Sequence, residues 1–366
     1  MKMKAKFLAG LLGRVLVTLP VAGCFVACEL VREELPECYV PVVELRFVYD
    51  YNMEFANAFH TQVDCLSVYF FDQEGYLVNV ETVSDRETLR NEEWRMHPEL
   101  PAGSYHVVAY GGMECENASF YHVKKMEQGI HLSDMRVRLD RYVTEDESPD
   151  MTRRLHNHFY GAADLTVSDK EDSHATVYMM RNTNSIQIAL QNEDGGEIDC
   201  NDFIFEITDD NNDFDCENKL LESGKITYRP YNTENRSTGT DDKHKEWMAA
   251  LAQFHTSRLA LRNSQDKPFD TGTTLYIRKK EDGSTVAEVP LVNYMLMFKN
   301  DSGEVADSYY GTDGIYYMGN QEYLDRENSW HFVFFLRDNL WLKAHIIVND
   351  WEVRMNEVTP NSTQRD

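Results

Sequence analysis

Positive charge is scarce in this chain of 366 residues: 36 Lys and Arg stand against 62 Asp and Glu, a formal net charge of −26. Such a surface repels phosphate backbones, which excludes sequence-independent nucleic-acid binding. After residue 28 there is no run of 18 apolar residues, so the body carries no expected spanning helix. The seven cysteines, at 24, 28, 38, 65, 115, 200 and 216, never fall at C-x-x-C spacing. That excludes a zinc ribbon and a thioredoxin-type site. A nucleophile elbow, a phosphate-binding P-loop and an H-E-x-x-H helix are also missing. Nothing in the sequence argues for catalysis, a cofactor or a small-molecule substrate.

What is present is 42% hydrophobic and 12% aromatic, a globular composition. At roughly 150 residues per domain the length suggests two domains. The first residues are set apart from the rest. Lys2, Lys4 and Lys6 precede apolar stretches at 7–12 and 15–22, the shape of a signal peptide. It ends in Val21-Ala22-Gly23-Cys24, where small residues before a cysteine read as a lipidation site; Cys28, after Ala27, is the alternative. Acyl chains on one cysteine hold a protein at a membrane through about 0.8 kcal/mol per buried CH₂. The expected organisation is a signal peptide at 1–23, a lipidated tether at 24–40, and β-sandwiches at 41–170 and 171–366.

The body repeats with a period of two. Val43, Leu45, Phe47 and Tyr49 alternate with Glu44, Arg46, Val48 and Asp50, a strand with one buried face. Apolar runs on either side of Asp72-Gln73-Glu74-Gly75 predict a hairpin, and another is expected around Asp282-Gly283. Ser84 with Glu87 suggests a capping box for a short helix ending near Met96. Further strands are expected at 105–110, 130–139, 186–191, 203–207, 226–231, 330–336 and 341–355, with a loop at 144–152. Trp247, Leu251 and Phe254 recur at helical spacing, so a helix is predicted over 245–256. The whole reads as two antiparallel β-sandwiches joined near residue 170.

Three features carry possible site chemistry. His156 and His158 would share one face of a strand and could grip a metal, although a solvated loop pair is the favoured reading. Asp209, Asn211, Asp213 and Asp215 have alternating oxygen ligands, but Phe214 and Leu220 stand where a calcium loop needs Gly and Glu. A plain acidic turn is therefore expected, with no metal assigned. Cys200 and Cys216 could close a local loop, and spacing alone does not settle the pairing. Tyr49, Tyr51, Trp330 and Trp351 are expected in the core rather than on sugar-binding platforms.

Several segments taken together resemble the fimbrillin-associated anchor protein family, cell-surface lipoproteins of Bacteroides-type bacteria. They are Glu34-Leu35-Pro36-Glu37-Cys38, Phe47-Val48-Tyr49-Asp50-Tyr51-Asn52-Met53, Val68-Tyr69-Phe70-Phe71-Asp72, Leu100-Pro101-Ala102-Gly103-Ser104-Tyr105, Met180-Arg181-Asn182-Thr183-Asn184 and Ile347-Val348-Asn349-Asp350-Trp351. The resemblance implies an all-β chain of two transthyretin-like sandwiches with short helices, held in the outer membrane at the base of a fimbrium. It implies fimbrial subunits as partners, engaged by β-strand addition, and the N-terminal lipid as the membrane contact. A polymerising shaft or tip subunit and a surface glycan-binding lipoprotein are the competing readings. The quoted motif residues are expected to be fold determinants, and the subunit-binding residues are left unassigned.

Overall fold

The computed structural model describes residues 39–140, 142–143, 149–151, 153–240, 246–262, 272–297, 299, 307–337, 340–348 and 351–354. Residues 42–366 form one unit and residues 1–41 another. In chain order the first strands are β1 (Val43–Val48), β2 (Leu66–Phe71), β3 (Leu77–Val83), β4 (Gly103–Gly111), β5 (Phe120–His122) and β6 (Val137–Leu139). Then come β7 (Tyr142–Val143), β8 (Pro149–Met151), β9 (Phe159–Val167), β10 (Ser173–Arg181), β11 (Thr183–Asn192) and β12 (Phe203–Asp209). They are followed by β13 (Asp213–Phe214), β14 (Ile226–Tyr228), β15 (Asn232–Thr240), β16 (Glu246–Ser257), β17 (Thr274–Lys279) and β18 (Thr285–Pro290). The last are β19 (Tyr309–Tyr310), β20 (Tyr316–Tyr317), β21 (Ser329–Arg337), β22 (Leu340–Val348) and β23 (Trp351–Arg354). Among the described residues four short helices intervene: α1 (Phe59–Gln62), α2 (Arg86–Arg90), α3 (Leu291–Leu296) and α4 (Asn320–Arg326).

The first sheet runs β1-β10-β9-β4-β2-β3. All six residues of β2 are buried because both faces of this sheet are covered, so the strand reads as a continuous apolar run. One face, with Phe47, Val68, Phe70, Val107 and Val177, packs under α1, α2 and Met96. The other face, with Tyr69, Val108 and Tyr110, meets a small sheet ordered β13-β6-β5. The predicted hairpin is β2–β3, turned at Gly75 with φ +84°, where a left-handed backbone favours glycine. At the start of β4 the Tyr105 hydroxyl donates to Pro101 O at 2.8 Å, which accounts for the Leu-Pro-Ala-Gly-Ser-Tyr segment as a corner latch.

Two further six-stranded sheets, β15-β16-β11-β21-β22-β23 and β18-β17-β12-β14-β8-β7, face one another. Ile186, Ile188, Phe254 and Trp330 of one meet Phe205, Ile207, Leu275 and Ile277 of the other. The expected all-β architecture is therefore observed, with several sheets and few helices. The sheets change hands at Asn182: β10 lies between β1 and β9 in the first sheet, and β11, starting at Thr183, belongs to the second. Pairing is not wholly antiparallel: β1 with β10, β11 with β21, and β14 with β8 run parallel. Each parallel pair joins segments far apart in sequence, the long connection that parallel pairing requires.

Four local expectations are corrected. Residues 246–257 are the strand β16, not a helix. Ala250, Ala252 and Phe254 enter the main core while Ala249 and Leu251 pack on the opposite face with Ala189. A run buried on both faces satisfies helical and extended spacing alike, and pairing with β11 and β15 decides for the strand. The helix after β3 is shorter than expected and is capped by Asp85 rather than Ser84; its carboxylate accepts from Glu87 N and Thr88 N. Of residues 130–139, only Val137–Leu139 is strand, after a single 3₁₀ turn at Leu132–Asp134. Part of the predicted loop at 144–152 is β8, which pairs with β14; residues 144–148 and 152 lie outside the described residues.

Candidate functional site: the first strand and the polar seam

β1 is the terminal strand of the first sheet and the strand nearest in sequence to the expected tether. Its alternation holds at Leu45, Phe47 and Tyr49, which are buried, and at Arg46, which is exposed, whereas Val48, read as facing outward, is buried as well. Phe47 stacks on Phe59 at 5.7 Å and on Trp94 at 6.0 Å, and Tyr49 meets Phe159 edge-on at 5.0 Å. β1 lies parallel to β10 from Val43 opposite Ser173 to Val48 opposite Tyr178. On its other flank Leu45 exchanges both backbone hydrogen bonds with Met96, at 2.8 and 3.1 Å. His97 Nδ1 sits 3.1 Å from Val43 O. A strand of this chain thus occupies the groove beside β10, and a short segment closes its outer edge.

The end of β1 enters a polar seam. The Arg181 side chain donates to Thr183 Oγ1 and to the carbonyl oxygens of Asn157, Gln62 and Asn328, at 2.8–3.4 Å. Burial pulls its pKa below the ordinary arginine value, an effect partly opposed by Tyr49. Asn328 Nδ2 in turn donates to Tyr49 Oη at 3.3 Å. Asn182 and Asn218 exchange side-chain hydrogen bonds of 2.7 and 3.0 Å in complete burial. Arg326 of α4 lies over the rings of Tyr51 (4.1 Å) and Phe55 (4.4 Å) and donates to Asp50 O and Asn52 O. A cleft of about 320 Å³ opens beside it, lined by Asn52, Asn57, Gln62, Arg326, Glu327 and Asn328 among others. The seam welds the 49–62 segment to α4 and the start of β21.

The site features read from sequence separate here. Cys24 and Cys28 lie outside the described residues. His158 is not a solvated loop residue: it is fully buried, 4.3 Å from the Phe120 ring, with Nδ1 3.2 Å from Asn182 Nδ2. Burial drives its pKa down to about 3. His156 points elsewhere, toward Asp64 at 3.9 Å. The alternating oxygens after β12 are also not a plain turn, since three of the four are buried. Asp209 pairs with Arg262 and accepts from Thr273, Asn211 bonds Tyr228 and Ser257 O, and Asp213 receives Arg136 and Arg138. Asp215 accepts the backbone amides of Glu217 and Lys219. Each of the four residues serves partners of its own. Among the described residues, no group of three or more His, Cys, Asp or Glu is placed to hold a metal.

Cysteine pairing, which spacing left open, follows from the fold. Cys65, before β2, is bonded to Cys115, after β4, while Cys200 and Cys216 are free. Neighbouring strands bring the first pair together, which sequence spacing does not reveal. Tyr49 and Trp330 are core residues as expected; Tyr51 instead serves the Arg326 stack, and the Trp351 side chain is outside the described set.

Fold and seam define a β-rich protein built of layered sheets. The family model described as fimbrillin-A associated anchor proteins Mfa1 and Mfa2 matches residues 35–357, and the chain belongs to this family of fimbria-associated cell-surface proteins. A candidate adhesin from Bacteroides thetaiotaomicron is 39% identical, with a TM-score of 0.73 over 87% of this chain and 100% of that one. A candidate polysaccharide-binding protein of the same organism is 27% identical, with a TM-score of 0.69 over 86% and 98%. The fimbrial anchor protein Mfa2 of Porphyromonas gingivalis shares the fold at 13% identity and a TM-score of 0.59, over 87% and 100%. No curated protein matches the chain. Among the described residues no helix is long and apolar enough to cross a membrane.

Proposed function

We propose that this protein is a lipid-tethered fimbrial anchor, acylated at Cys24 or alternatively Cys28, that holds a filament at the outer membrane. Membership of the anchor family over residues 35–357 carries this reading. The retained strand β1 supports it, because the edge beside β10 is filled by this chain's own residues and the molecule can serve as a fixed end. On this reading the sheets form two transthyretin-like sandwiches that exchange at Asn182, and a fimbrial subunit is bound by β-strand contact along a free edge. Filament number and length then depend on how many such ends the cell displays.

A second reading is favoured by the same strand. Were the chain cut after β1, the Leu45 and Phe47 side chains would leave the groove and expose the flank of β10. A neighbour's strand could then enter, as in a polymerising shaft subunit. Intact-mass measurement of the protein from native membranes separates the two. An acylated cysteine on the full body supports the anchor; an unlipidated chain beginning beyond Val48 supports the polymerising subunit. Substituting Cys24 and Cys28 in turn by Ala identifies the acylated residue by release from the membrane. Deletion of the gene with fimbriae still attached, and normal in length and number, would sink the anchor reading.

A further inference from the structure

One surface element belongs to none of the cores. β19 and β20 form a two-stranded hairpin, Tyr309 opposite Tyr317 and Tyr310 opposite Tyr316. Its turn is set by Gly314 at φ +80° and by Asp313, whose carboxylate accepts from Ile315 N and the Tyr317 hydroxyl, both at 3.1 Å. An isolated hairpin of this length is not stable in water by itself. This one is bolted at its base: Ser308 and the Tyr316 hydroxyl both donate to Glu322 of α4, and Gly319 N donates to Ser308 Oγ at 2.7 Å. Glu322 is held in turn by Arg326, the residue stacked on Tyr51 and Phe55. The base is rigid and tied to the seam, while Tyr310 is 75% exposed, Ile315 56% and Tyr309 51%.

We propose that this hairpin is a docking knob for a fimbrial protein subunit, entering an apolar groove with a basic rim; the inference rests on the fimbrial reading above. Clustered, exposed aromatic and aliphatic side chains on a fixed support mark contact sites, and tyrosine contributes broad contact area at low conformational-entropy cost. The Tyr309 and Tyr317 rings lie 5.0 Å apart at 13°, so each covers a face of the other and no paired flat platform is offered to a sugar. Ile315 at the tip suits an apolar groove better than a hydroxylated ligand. Residues 307–317 hold two aspartates and no Lys or Arg, which sets the sign of the partner's rim.

The test uses full-length protein solubilised from membranes and immobilised, with fimbriae sheared from cells of the parent strain as the probe. Replacing Tyr309, Tyr310 and Ile315 by Ser should lower fimbrial retention at least tenfold with an unchanged Tm. Should the triple substitution disturb folding, Tyr310→Ser alone should still lower retention severalfold. Asp307→Lys should slow association and weaken its salt dependence. Retention within twofold of the parent for these variants overturns the docking site and leaves the anchor reading intact. Failure of the parent protein to retain fimbriae overturns both. Migration through gels containing yeast mannan or dextran is the third arm: retardation of the parent that the triple variant loses would replace the protein partner with a glycan.

Discussion

Asp213 and Arg136 form a two-point ion pair across 77 positions of sequence, the carboxylate fully buried and the guanidinium partly exposed. Arg138 donates to the same carboxylate at 2.8 Å. The pair locks β13 against β6, so a residue from beyond Asn182 completes a sheet whose other strands come from before it. Removing the buried carboxylate takes from both partly exposed guanidiniums a charged hydrogen-bond partner, a loss of about 1.5–3 kcal/mol. Asp213→Ala should therefore destabilise the protein by that order in urea unfolding. Adding Arg136→Met and Arg138→Met should recover part of the loss, since the stranded charges are then gone. A loss below about 1 kcal/mol for Asp213→Ala would contradict the latch.

The Cys65–Cys115 bond closes a span of 50 positions. Chain-entropy arguments put the stabilisation from such a loop at about 4 kcal/mol. Reduction, or Cys65→Ser with Cys115→Ser, should lower Tm markedly, whereas Cys200→Ser and Cys216→Ser should each change stability far less. Alkylation before reduction should label Cys200 and Cys216 and spare Cys65 and Cys115 in peptide mapping.

Three buried histidines should make stability fall in mild acid. Burial depresses His158 to about 3 and His122 and His255 to about 4. Well above the unfolded value of 6.5 neither folded nor unfolded chain protonates them, so they contribute no pH dependence there. Below it the unfolded chain takes up protons that the folded chain refuses. Each histidine then subtracts up to about 1.4 kcal/mol per pH unit, until its folded pKa is reached. Urea unfolding at pH 7, 6 and 5 should show progressively lower midpoints, and a level profile over that interval would refute the assignment.

Phe47 tests the occupied groove. Truncating this 2% exposed ring to Ala removes the stacks on Phe59 and Trp94 and should cost about 3–5 kcal/mol. The same variant should speed amide exchange in β1 and β10 more than in β21, because the lost contacts lie on the first sheet alone.

The strand periodicity of 43–49, the two hairpins and the family motifs were legible because each depends on nearest neighbours or on a short turn. The Met180–Asn184 segment was legible as a marker but not as a part: only the fold shows Arg181 held by four neutral side chains and Asn182 paired with Asn218. The same limit explains 246–257. Trp247, Leu251 and Phe254 fit a helix locally, and only the strands on either side select the extended chain.

By itself the sequence determined the acidic charge balance, the β-rich class and the family. These properties are sums over composition or follow from short-range spacing. Tertiary structure alone decided which strand fills the groove beside β10, which cysteines meet, that Asp209 and Asp213 are buried latches, and that Tyr309 and Tyr310 stand in solvent. Those outcomes depend on segments tens to hundreds of positions apart arriving side by side, and burial belongs to that assembly rather than to any residue alone.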